Sequence, residues 1–172
     1  MSVDKPLVNK VAASGLITIK LEDFLPKEPI VEMDLKDYLF HGLILKEKDF
    51  RTALKELDWA QFEGKVLTVF CSTDAIIPMW AYMLVATYAT PHAHTVFQGT
   101  KDEFLRHALY QRLDQIEYEQ YEGQRLVIKG CGDEPVPASA YLEITRRLQP
   151  IAQSIMYGEP CSTVPIYKKK RK

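Results

Sequence analysis

Cys71, Cys131 and Cys161 are the side chains in this sequence best suited to chemistry. Thiols at such positions can ligate a soft metal, relay sulfur or form a redox pair. Cys71 directly follows the apolar run Val66-Leu67-Thr68-Val69-Phe70, and Cys131 comes just after Arg125-Leu126-Val127-Ile128. If both runs are parallel strands of one sheet, both thiols emerge at its carboxyl edge, where open α/β folds hold their ligands. Each also precedes a predicted helix start, where the helix dipole favours a thiolate. Asp74 and Ser139 are candidate caps of those helices, and Asp74 joins the three thiols as a candidate metal ligand. Cys161 precedes the last predicted strand, so it reaches the same rim only if that strand runs antiparallel to the others. Such a rim suits zinc or an iron–sulfur centre, because soft thiolates select those metals.

The spacing is a weak signal. Separations of 60 and 30 residues, without a Cys-x-x-Cys, differ from the closely paired ligands of structural zinc sites. Cysteine also behaves as a small buried hydrophobe. Inert thiols, a metal- or sulfur-handling cluster and a role for one cysteine alone all stay open. An enzyme acting at the rim would use Cys71 or Asp74 as its reactive group. No histidine is placed to activate a thiol, which disfavours cysteine–histidine catalysis. His92 and His94 precede a strand and fall on the opposite rim, and they read as exposed loop residues. Arg146 and Arg147 are candidates to bind an anion, with a solvated helix face as the rival reading. Gly130-Cys131-Gly132 lacks the third glycine of a dinucleotide-binding loop.

The elements that must position these residues follow from hydrophobic period. Leu16-Ile17-Thr18-Ile19-Lys20-Leu21 alternates as a half-buried strand does, and residues 30–35 alternate again beyond Pro26 and Pro29, which predicts a hairpin. Apolar residues at helical spacing from Tyr38 to Leu57 predict a helix broken at Gly42. Val66 to Phe70 reads as a strand covered on both faces. Residues 76–88 are apolar on nearly all sides, as in a buried helix. A brief strand at 95–97, a helix over 101–118, a strand at 125–128 and a helix over 139–148 follow. Pro150 restarts or kinks that helix toward Met156, and residues 164–167 form an edge strand because of Pro165. The alternation predicts an α/β fold with a mixed, mostly parallel central sheet, helices on both faces and an N-terminal β-hairpin. No long internal repeat stands out.

A length of 172 residues suits one α/β domain over 1–172, with 1–10 a loose lead-in and 168–172 a basic, disordered tail. Apolar residues at 47% and charged residues at 26% are ordinary for a globular chain. The net charge of −1 hides an asymmetry, because the last five residues are all basic. Without them 17 basic residues face 23 acidic ones, so the body is acidic and no nucleic-acid partner is expected. No membrane association is expected either, since the longest apolar run is broken by Pro78. An odd number of cysteines and no export signal at the start predict reduced thiols in the cytoplasm. An interaction scaffold is the rival function class, with exposed apolar surface expected around Trp59, Phe62 or Trp80.

Four stretches carry a resemblance: Cys71-Ser-Thr-Asp-Ala-Ile-Ile-Pro, Val127-Ile-Lys-Gly-Cys131-Gly, Pro135-Val-Pro-Ala-Ser-Ala-Tyr141 and Ser154-Ile-Met-Tyr-Gly-Glu-Pro-Cys161-Ser-Thr. Over most of its length the chain resembles an uncharacterised domain-of-unknown-function family of Bacteroidetes proteins, family 2480. That family has no established activity. The resemblance implies a possible link to iron–sulfur cluster assembly gene neighbourhoods, hence an accessory role with a protein partner of that pathway.

Overall fold

The structure, a computed structural model, describes residues 15–129, 135–159 and 162–170. In chain order its elements are β1 (Leu16–Lys20), β2 (Ile30–Asp34), α1 (Glu47–Glu56), β3 (Val66–Phe70), α2 (Met79–Ala89) and β4 (Thr95–Gln98). There follow α3 (Lys101–Asp114), β5 (Arg125–Lys129), α4 (Ala138–Leu148), β6 (Ser154–Glu159) and β7 (Ser162–Lys168). The fold is α/β with mostly parallel strands, as the alternation of periods predicts. β2, β3 and β4 form one parallel sheet in that order. The other has the order β1-β5-β6-β7, and only β7 runs antiparallel to its neighbour.

Several expectations need correction. Both N-terminal strands form where predicted, but they pair with β5 and β3 instead of with each other. Between them Leu21 and Leu25 are buried, which commits the connection to a core and leaves no tight turn. The chain beyond Pro150 is the strand β6 and not a resumed helix. Proline cannot supply the N–H that a continuing helix needs, and Ile155 turns inward as a strand residue. Neither Asp74 nor Ser139 caps a helix. Pro78 and Pro137 hold the cap positions of α2 and α4, with no side-chain cap bond at either. Of the helix predicted from Tyr38 to Leu57 only α1 forms; around Gly42 the chain makes a turn closed by the Phe40–Ile44 bridge, with His41 and Gly42 both at positive φ.

The chain divides into two compact units. Pro26–His107 holds the three-stranded sheet, and Met1–Leu25 with Ala108–Lys172 holds the four-stranded one. In the first, Leu35, Phe50, Leu54, Leu67 and Val85 are fully buried. In the second, Leu21, Leu109, Leu113, Leu126 and Ile144 play the same part.

The two units repeat one another, which the sequence reading misses. β3 and β5, α2 and α4, and β4 and β6 all begin 59 positions apart. Strand register is preserved as well: Val66 pairs with Thr95, and Arg125 pairs with Ser154. The N-terminal strands are related by a second shift, of 14 positions, from Leu16 opposite Arg125 to Ile30 opposite Val66. Fine structure follows the same rule. Trp59 Nε1 donates to Leu54 O at 2.7 Å, and Tyr118 Oη donates to Leu113 O at 2.9 Å. Gly64 and Gly123 close equivalent turns at φ 68° and 67°, a region glycine enters without the steric penalty of a side chain.

Candidate functional site

β3 ends at Phe70 in the middle of its sheet, flanked by β2 and β4. Just beyond it, Cys71 is half-buried, with Sγ 3.2 Å from Thr73 Oγ1. Ser72 donates its N–H to Asp34 Oδ1 at 3.0 Å, and Lys36 Nζ lies 3.1 Å from Asp34 Oδ2. Desolvation alone would raise the Asp34 carboxyl, but hydrogen bonds from Ser72 and Lys36 outweigh it and hold the group at about 2. Asp34 therefore acts as a tie between the ends of β2 and β3. Asp74 is exposed in the turn before α2.

The shared thiol rim required β3 and β5 to be strands of one sheet. They are not. Each already has a neighbour on both sides, β2 and β4 for one, β1 and β6 for the other, so neither edge is left for the other to join. Cys131 and Cys161 lie outside the described residues. The reversed direction predicted for the last strand is present in β7. Among the described residues no group of three or more His, Cys, Asp or Glu side chains is placed to hold a metal ion. His94 Nε2 lies 3.9 Å from Glu28 Oε1.

Arg146 and Arg147 are not a free anion-binding face. Both bond Glu143, at 2.6–2.9 Å, and Arg147 also meets Asp114 and the Leu113 carbonyl. Hydrogen bonds from Arg146 and then Arg147 hold the Glu143 carboxyl at about 2. Glu143 is nearly buried, and its partners satisfy it, so the cluster joins α4 to the end of α3.

The most open chemistry lies elsewhere in the three-stranded unit. A cavity of about 510 Å³ runs along β4, floored by Val69, Val96 and Phe97 and walled by Tyr82, Met83 and Ala86 of α2. β4 is the outer strand, so one row of its main-chain N–H and C=O groups faces away from β3. Beside it α2 exposes Met79 and Met83, both about 70% accessible, and Ile76 is exposed in the segment leading into it. Helix α2 is therefore not buried all round. Its inward face, Ala81, Val85 and Ala89, satisfies the core with small residues and leaves an apolar stripe outside. Trp59 and Phe62, expected at an exposed patch, are buried. The readable signal was the run Ile76-Ile77-Pro-Met79-Trp-Ala-Tyr-Met83, too apolar for a helix with only one covered face.

Among the described residues no helix is long and apolar enough to cross a membrane. Neither the curated proteins nor the solved structures contain a match to the chain. Residues 5–169 match the family described as "Protein of unknown function (DUF2480)", and the chain belongs to that family.

Proposed function

We propose that the protein is an interaction module of the cytoplasm that receives an extended polypeptide strand along β4. The observation that carries this reading is the coincidence of an outer strand edge with an apolar cavity and bare methionines. Strand addition draws affinity from main-chain hydrogen bonds and specificity from pockets for alternate side chains, and both are available at β4. Methionine suits such a surface because its flexible thioether adapts to varied partners. A peptide of the sequence Ser-Thr-Val-Pro-Ile-Tyr-Lys, copied from β7, serves as the probe. Titrated into the labelled protein, it is expected to shift the amide signals of Thr95–Gln98 and of α2 around Met83. Unmoved signals there, at millimolar peptide, would refute the reading.

A second reading is kept by one observation in the four-stranded unit. β5 and β6 are parallel neighbours, β7 returns antiparallel, and Lys129 Nζ lies 4.0 Å from Glu159 Oε1. The chain segments holding Cys131 and Cys161 are joined to those two strand ends. On this reading Cys131 and Cys161 handle zinc, an iron–sulfur centre or sulfur in an accessory protein of iron–sulfur assembly. Metal content and visible absorption after anaerobic purification test it. Bound metal lost in Cys131→Ser and Cys161→Ser is the expected result, and a colourless, metal-free protein indifferent to both cysteine changes ends it.

A further inference from the structure

The internal repeat says what belongs on β4. In the four-stranded unit the edge of β6 equivalent to the bare edge of β4 is covered by antiparallel β7. Ile155 pairs with Tyr167 and Tyr157 pairs with Val164; their equivalents in β4 are Val96 and Gln98. Paired residues share a face of a sheet, and Tyr157 lies on the face that meets Tyr141 of α4, ring centroids 5.8 Å apart. β7 thus supplies side chains beside α4 where the other unit has a cavity beside α2. Gly99 donates to Val69 O, so alternation along β4 turns the main-chain groups of Val96 and Gln98 outward. These are the groups that bond a new strand.

Resting on the strand-addition reading, we infer that the occupant is β4 of a second copy of this chain, paired antiparallel about a twofold axis. Two edges of the molecule are built differently. β7 carries Pro165, a register shift opposite Ile155/Met156 and a terminal lysine run, all devices that discourage pairing. β4 is Thr-Val-Phe-Gln, with no charge, no proline and no bulge. An uncharged edge meets its own copy without the repulsion that a charged one would suffer. A twofold contact also requires a patch that fits itself. The β4 face has both halves of such a fit, an apolar cavity and, among the residues lining it, the exposed side chain of Met83. A four-residue strand alone is too small for a stable dimer, which needs roughly 800 Å² from each partner. A contact of that scale would have to take in the exposed residues of α2 as well.

Sedimentation of the full chain at about 10–100 μM tests the inference. The expected mass is twice the 19.8 kDa of one chain. Met83→Glu places a charge on a surface residue, and Gln98→Pro removes an outward N–H while sparing the bonds to β3. Each is expected to raise the dimer dissociation constant at least about tenfold with the circular dichroism unchanged. Amide exchange at Val96 and Gln98 of the unmodified chain should quicken on dilution, a measurement that needs no variant. A dimer moved by neither change and without that dilution effect overturns the inference. So does a monomer throughout the range. A monomer whose β4 still binds the β7-sequence peptide sinks the second copy and keeps strand addition; a monomer that ignores the peptide sinks both. In a dimer the peptide competes for the same edge and should dissociate it.

Discussion

The two units follow one chain path and differ in what borders it. In the three-stranded unit the last parallel strand ends the sheet, and the helix beside it is apolar outside as well as inside. In the four-stranded unit the corresponding strand has a further neighbour, and the corresponding helix carries Glu143, Arg146 and Arg147 where the other has Leu84, Thr87 and Tyr88. A common scaffold therefore tolerates two opposite solutions, one closed by a strand and a charge cluster, the other left bare.

That comparison can be broken in the cores first. Leu148 is fully buried, and its equivalent is Ala89. Leu148→Ala should lower the stability measured by urea unfolding by about 3 kcal/mol, because the space it leaves is only partly refilled. A loss well below 1 kcal/mol would mean that the four-stranded core can close as the other does around Ala89.

A smaller effect is expected from the charge cluster. Glu143→Gln should lower stability by about 2 kcal/mol, since it weakens charge-assisted bonds to two arginines. The carboxyl is held below its unfolded value of about 4.3, so its contribution is complete above that pH and fades as pH falls toward about 2. Acid unfolding should therefore lose steepness below pH 4 in the variant. An identical acid profile would remove the cluster from the account of how the units differ.

The smallest test sharpens the likeness. At Gly64 and Gly123 an added Cβ meets nothing within 4 Å, so only backbone strain opposes it. Gly64→Ala and Gly123→Ala should each cost about 1 kcal/mol and agree with one another to a few tenths. Unequal costs would show that the equivalence of the two turns is only geometric.

The fold class was legible because apolar period survives in nearly every element: β3, β5, α1 and α4 lie where spacing puts them. Pairing was less legible. Nothing local in Leu16 to Lys20 says that its partner is Arg125 to Lys129, beyond a stretch large enough to hold another whole unit. The repeat left traces that a search by composition passes over. Asp58-x-x-Gln61-x-Glu63-Gly64 returns as Glu117-x-x-Gln120-x-Glu122-Gly123, and Pro78, Pro91 and Gly99 return as Pro137, Pro150 and Gly158. Turns and caps keep their residue types because backbone geometry demands them, while buried positions drift among apolar residues of similar volume. The candidate site was half legible. An over-apolar α2 was visible, but an unpaired strand edge is a property of the sheet and has no residue signature. Cysteines drew the eye to strand ends that belong to different sheets.

The placement of β1 ahead of everything else has a consequence for biosynthesis. Pro26–His107 contains every strand of its own sheet and leaves the ribosome as a complete set. Leu16 must wait for Arg125, which at ordinary translation speeds is a delay of roughly 5–20 s. During that interval an alternating strand with no mate is exposed beside a finished neighbour. A nascent chain stalled near residue 110 should therefore offer chaperones one short apolar segment at its amino end.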